Sequence, residues 1–249
     1  MNKKNIISIS VIFIILLIWI IATINQSQKD ALLFPSPLLV LNILFDQFYE
    51  LLIFSLTTWY RVIVGLFIGS FAGFFIGIIM SYSKLANYLL DPLIELIRPI
   101  PPVALTPFFI LWFGLGDLSQ FLLISLGCFT IIAISTFESI QNVQPVYIRA
   151  AKSLGADSLT IYKTIILPAI TPNLLPSLRV ALATSFALTV AAEYLGAQGG
   201  LGYVIRNART ILQTDMILLA ALILGVESLL SDGLIRYIFG KTTKWMPTS

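Results

Sequence analysis

Residues 65–77 read Gly65-Leu66-Phe67-Ile68-Gly69-Ser70-Phe71-Ala72-Gly73-Phe74-Phe75-Ile76-Gly77, a charge-free stretch inside the longer apolar run Leu56–Met80. A helix of that length crosses the hydrocarbon of a bilayer, which takes about 20 apolar residues. The glycines recur at every fourth position and so fall along one slowly drifting stripe. Without side chains there, a neighbouring helix can come close. Gly65, Gly69, Gly73 and Gly77 are therefore read as a packing seam, either within the chain or against a second copy.

Outward from this span, the same rule picks out Ile6–Ile24, Leu89–Leu115, Phe121–Phe137, Leu174–Ala192 and Met216–Phe239. Six transmembrane helices are expected. Composition agrees: 58% of the 249 residues are hydrophobic and 11% charged, against about 45–50% and about 25% in soluble domains. Mean hydropathy is +0.95. These values exclude a soluble fold, a disordered chain, a nucleic-acid binder and a secreted disulfide scaffold. Cys128 has no second cysteine to bridge, and the absence of histidine removes histidine catalysis and histidine metal ligation. No metal site is expected. The first run follows Lys3 and Lys4, exceeds the about 7–15 residues of a signal-peptide core, and precedes no A-x-A cleavage site. Residues 1–24 are thus expected to stay as an anchor.

Lysines and arginines set the direction, because they concentrate in short cytoplasmic loops. With the N-terminus inside, Lys3, Lys4, Lys84, Arg149, Lys152, Lys163, Arg236, Lys241 and Lys244 are cytoplasmic; Lys29, Arg206 and Arg209 fall outside. The expected fold is an all-α polytopic membrane protein with both termini cytoplasmic, a single domain over 1–249, and a five-span core over 56–239. The net charge of +3 fits those inner-face cations rather than nucleic-acid binding. Asn25–Ser55 is a long outer segment containing Phe34-Pro35-Ser36-Pro37. Leu41, Leu44, Phe45, Phe48 and Leu51 then repeat at helical spacing, which predicts an amphipathic helix at the outer interface.

Span three is predicted to start at Asp91-Pro92 and to meet Arg98-Pro99-Ile100-Pro101-Pro102. Three prolines in four positions remove backbone donors and break the helix. Broken backbone at membrane depth survives where it packs in protein or lines a wet cavity, and transporters place such breaks on the substrate route. Arg98 is also spaced to pair with Glu95. Arg61, Glu138, Arg179 and Glu193 lie in or beside spans, where ionisable groups face the protein interior or water. Arg61 and Glu193 are expected near the outer interface. Arg179 lies deeper, to meet an anion or a carboxylate on another helix. Arg98, Pro99, Pro101, Pro102, Arg179 and Glu193 are the candidate route.

The longest cytoplasmic segment, 138–171, contains Tyr147-Ile148-Arg149-Ala150-Ala151-Lys152-Ser153-Leu154-Gly155-Ala156-Asp157-Ser158. Its pattern predicts a short helix, a glycine stop, a polar start at Asp157 or Ser158, and a second helix ending at Pro168. Ala150 and Ala151 leave a flat face suited to another protein's groove or to the lipid surface.

Here the residues carry a resemblance. Ala150-Ala151-x-x-x-Gly155 and the apolar run to Ile166-Leu167-Pro168 resemble the EAA loop of inner-membrane permeases of ATP-binding-cassette importers. Phe34-Pro35-Ser36-Pro37, Asp91-Pro92, Arg98-Pro99-Ile100-Pro101-Pro102, Trp112-Phe113-Gly114-Leu115-Gly116, Ala192-Glu193, Gly200-Leu201-Gly202-Tyr203 and Gln213-Thr214-Asp215 resemble its aliphatic-sulfonate, taurine and nitrate branch. In this chain Arg149 replaces the glutamate that opens the motif. The resemblance implies a multi-pass permease in the cell (inner) membrane that forms a homodimer with a second copy of itself. Each subunit would dock a cytoplasmic ATPase subunit through Arg149, Ala150, Ala151, Lys152, Gly155, Ala156 and Asp157. A solute-binding protein would deliver a small anion from outside: sulfonate or taurine first, nitrate or bicarbonate next. The chain carries no phosphate-binding Gly-x-x-x-x-Gly-Lys-[Ser/Thr] loop. It is thus a transport subunit with no cofactor of its own, and ATP-Mg is used by the partner. A secondary transporter or channel is the alternative, and an intramembrane enzyme a third class.

Overall fold

The computed structural model describes residues 3–24 and 33–242. Among these, every regular element is helical. Helix α1 (Lys3–Thr23) carries Trp19, whose indole N–H donates to the Pro35 carbonyl at 3.0 Å and whose ring meets Phe34 edge-on. Helix α2 (Pro37–Asp46) is capped by Ser36, which accepts from the Leu39 amide. It stops at Gln47, and α3 (Phe48–Tyr82) starts on the next residue. The expected interfacial helix is therefore split in two. Val40 and Leu51 turn inward to a cluster with Leu201, Val204 and Met216, while Leu41, Phe45 and Phe48 stay exposed. Leaving helical geometry at Gln47 lets α2 lean on the protein while α3 rises as a separate rod.

Helix α3 has 35 residues, a length of about 52 Å, well beyond a hydrocarbon core of about 30 Å. Its glycine stripe packs within the chain, against α6 (Asp117–Gln141). A Cβ at Gly69 would stand 2.8 Å from the Ser125 Cα and 2.9 Å from the Cys128 Cβ. One at Gly73 would stand 2.6 Å from the Phe129 carbonyl, and one at Gly77 2.7 Å from that of Ala133. The backbones touch, and the Ser125 hydroxyl donates across the seam to the Gly65 carbonyl.

Helix α4 (Lys84–Ile97) is capped by Ser83, not by Asp91. Pro92 lies inside it, so the helix forgoes the bond to the Tyr88 carbonyl rather than starting there. After Arg98 the chain turns, and a 3₁₀ turn (Pro102–Leu105) leads into α5 (Thr106–Phe113). The two arms make an angle of 83°. Beyond α6, helix α7 (Pro145–Ser153) is followed by the short α8 (Ser158–Ile161). Pro168 does not stop the second helix. A π turn over Tyr162–Ile166 hands over to α9 (Leu167–Gly196), with Pro168 in its first turn, where a missing N–H costs little. Helices α10 (Leu201–Thr210) and α11 (Thr214–Thr242) complete the order.

Among the described residues, Phe48–Tyr82, Asp117–Gln141, Ser158–Gly196 and Thr214–Gly240 are each long and apolar enough to cross a bilayer, and the bent pair is a fifth candidate. The run Ile6–Ile24 coincides with α1, of which Ser10–Thr23 forms a shorter apolar helix. Residues 25–32, with Lys29, and the terminal residues, with Lys244, lie outside the described residues.

Candidate functional site

The proline break shapes a cavity of about 390 Å³. Its walls are the end of α4 and the 3₁₀ turn (Arg98, Ile100, Pro102), α6 (Thr130, Ser135, Glu138) and α9 (Ser177). Pro99 and Pro101 make the bend, and Arg98 and Pro102 face the space. The Ser135 and Ser177 hydroxyls lie 2.5 Å apart, joining α6 to α9. Arg98 does not pair with Glu95; among the described residues it forms no ion pair at all. The sequence reading missed Thr130, Ser135 and Ser177. Their only local signal is a hydroxyl within an otherwise apolar run, which recurs at many positions here.

Glu193 and Arg179 lie elsewhere. Glu193 has no exposed surface, and Arg61, expected to reach an interface, is 8% exposed in its side chain. The two meet: Arg61 Nη1 donates to Glu193 Oε1 at 2.8 Å and to the Gly199 carbonyl at 2.7 Å. Its Nε donates to Asp117 Oδ1 at 2.8 Å. Thr58 donates to Glu193 and accepts from the Leu201 amide, and the Gly202 amide donates to Glu193 Oε2 at 2.9 Å. This network ties α3, the start of α6, α9 and α10 together. Gly200 closes it, with φ of +100° and the Glu193 carboxylate where a Cβ would stand, so that no side chain fits. Arg179 binds Asp232 of α11 through Nε at 2.5 Å and Nη2 at 3.2 Å, and Arg236 shares that carboxylate at 2.7 Å. Of its two expected roles, Arg179 takes the helix-to-helix pair.

The segment after α6 has its own small core. Ile140, Val143, Ile161, Ile166 and Ile170 are buried together, and Ala151 packs on them. Ala150 and Ala151 therefore do not share one outward face. Val146, Tyr147 and Ala150 of α7 are exposed instead, as is Leu154 at its C-terminal cap, by 89%; Tyr147, Ala150 and Leu154, spaced by three and four, follow one side. The helix is closed by Leu154 and Gly155, and the Gly155 φ of +81° allows the Ala156 amide to reach back to the Ala151 carbonyl. Asp157 caps α8 by accepting from the Thr160 amide. Hydrogen bonds from the Thr160 side chain and amide hold its carboxyl below the usual carboxylate range. Arg149 and Lys152 flank the exposed stripe in solvent.

Comparison with known proteins agrees along the whole length. The family described as "Binding-protein-dependent transport system inner membrane component" matches residues 65–244. The taurine transport system permease protein TauC of Escherichia coli K12 is 33% identical, over 98% of this chain and 91% of its own. SsuC of Bacillus subtilis, described as an aliphatic sulfonates transport permease, is 36% identical over 75% of this chain and 67% of its own. Among solved structures, the inward-facing MetNI methionine ABC transporter superposes with a TM-score of 0.61 at 20% identity, covering 78% of this chain and 98% of that one. The helical order, the apolar spans and these matches lead to one assignment: the chain belongs to the binding-protein-dependent transport system inner membrane components, as the multi-pass, non-enzymatic permease subunit of an ATP-binding-cassette importer.

Proposed function

We propose that this permease forms the route for taurine or a related sulfonate. The observation that carries the reading is the match to TauC over 98% of the chain, with SsuC pointing to the same sulfonate head group. The elbow cavity supports it, because Arg98 supplies an uncommitted guanidinium whose fork suits the oxygens of an anionic head. Two copies of the chain pack side by side with six spans each and both termini cytoplasmic. A binding protein docks outside. Inside, an ATPase subunit receives α7, with Val146, Tyr147, Ala150 and Leu154 filling its groove. ATP-Mg is hydrolysed by that partner, and this chain binds no cofactor.

Uptake tests the reading. Cells lacking their own sulfonate importers, expressing this permease with its ATPase and binding protein, should accumulate labelled taurine or an alkanesulfonate and grow on it as sole sulfur source. Accumulation of nitrate or bicarbonate without either sulfonate would replace the substrate while leaving the family unchanged.

A further inference from the structure

A second cavity, of about 310 Å³, lies at the end of the bundle opposite α7. Its walls are Arg61 of α3, the start of α6 (Gly116, Asp117, Gln120) and the chain leaving α9 (Gly196, Gln198, Gly199). Helix α6 begins at this cavity and ends at Gln141, just before α7. With α7 inside, the cavity therefore faces out. Gln120 is 2% exposed, and its carboxamide oxygen is buried without a hydrogen-bond partner. Native chains leave few such groups, because nothing then offsets their desolvation. A half-turn of the terminal torsion exchanges the oxygen and the NH2, so the amide can present an acceptor to the cavity.

The charges give the missing partner a sign. Arg61 meets both Glu193 and Asp117 at 2.8 Å, so one guanidinium faces two carboxylates and one negative charge is left over. Glu193 is sealed inside. Asp117, with 52% of its side chain exposed, brings that charge to the cavity wall. Arg206 touches the same loop, but it donates to the Ala197 carbonyl, lies over the Tyr203 ring and does not line the cavity. Gly116 leaves its part of the wall bare, with nothing within 4 Å of a Cβ there. Surplus negative charge and an unmatched acceptor select a cation. The space is far larger than the close oxygen cage of a metal ion, and it suits a long side chain with a charged tip.

We infer that this cavity is a docking slot for a basic side chain of the solute-binding protein, whose ammonium or guanidinium sits between Asp117 and the Gln120 amide. The inference rests on the importer reading, in which a binding protein docks outside, and adds where that protein is held and by which charge.

The test titrates the binding protein onto the complete importer in nanodiscs, with the melting temperature of each variant measured alongside. Q120M removes the acceptor at similar size. It should weaken binding by about tenfold, the effect of one hydrogen bond to a charged donor. It should melt no lower than wild type, because an unmatched amide leaves the interior. Position 120 also reads the sign: Q120E should tighten binding and Q120K should weaken it beyond Q120M, both more strongly at low salt. If Q120M binds like wild type, or if Q120K tightens binding and Q120E loosens it, the slot is overturned while the importer stands. If Q120M loses binding and melting temperature together, Gln120 is a packing residue and the inference falls as well. A wild-type importer that holds no binding protein, with or without ATP, overturns the partner reading and this inference with it.

Discussion

Glu193 is a carboxylate without exposed surface, and it stays in the bundle because Arg61, Thr58 and the Gly202 amide all donate to it. Removing one partner of such a pair leaves an uncompensated charge. Arg61→Ala should therefore destabilise the protein by about 3–5 kcal/mol. Glu193→Gln, which keeps an acceptor for the amide and the hydroxyl, should cost clearly less. Thermal unfolding in detergent checks the order, and an Arg61→Ala variant as stable as Glu193→Gln would show that the pair is not what holds Glu193 inside. Gly69 makes a steric version of the same point. Its missing Cβ faces the Ser125 Cα at 2.8 Å, so Gly69→Val must push α3 off α6, at the about 1–3 kcal/mol of an overpacked core. Both residue types stood out in the sequence, yet their partners did not. A fourfold glycine spacing fixes which face is bare, but not which helix covers it. Arg61 and Glu193 are 132 positions apart, and hydropathy places each at a depth without saying that the two depths share one contact.

At the scale of elements, the prolines divide by position. Pro99, Pro101 and Pro102 were legible as a break because they leave no continuous run of N–H donors, and the chain does turn there by 83°. Pro168 misled for a physical reason: the π turn before it already displaces the hydrogen-bond ladder, so the ring sits where no donor is needed. Asp91 misled because Ser83, eight residues earlier, had already supplied the cap of α4. Replacing both Pro101 and Pro102 by alanine restores the donors and lets α4 run on toward α5, closing the cavity lined by Pro102 and Arg98. Uptake should fall by about tenfold, the effect of about 1.4 kcal/mol, while the ATPase still co-purifies. Normal uptake by a normally expressed double mutant would reduce the bend to a packing detail.

Over the whole molecule, the apolar runs carried the architecture, since each span must bury its own backbone bonds in lipid. The orientation rests on cation placement, so cysteines at Ser153 and Asn207 in a Cys128→Ser background should react with impermeant reagents from opposite sides. The proposed docking of the ATPase on α7 can be tested residue by residue. A side chain as exposed as Leu154, at 89%, at the C-terminal cap of a helix braced from below by Ala151 and Ile140, is positioned for a partner. Covering it should contribute about 1.5–3 kcal/mol, so Leu154→Ala should weaken ATPase co-purification by about tenfold or more. Gly155→Val acts differently. Nothing lies within 4 Å of a Cβ there, so the loss comes from the φ of +81°, which a β-branched residue resists; Gly155→Asn should be milder, because asparagine tolerates that region. Arg149 stands where the EAA loop carries glutamate. Arg149→Glu reverses the charge beside the stripe and should loosen a partner adapted to the cation, more at low salt than at high. Ala151→Glu should damage the loop's own core first and reduce expression as well as docking. If Leu154→Ala, Gly155→Val and Arg149→Glu all co-purify with the ATPase and transport like the native chain, α7 is not the coupling element, and the ATPase grips another part of the inner surface.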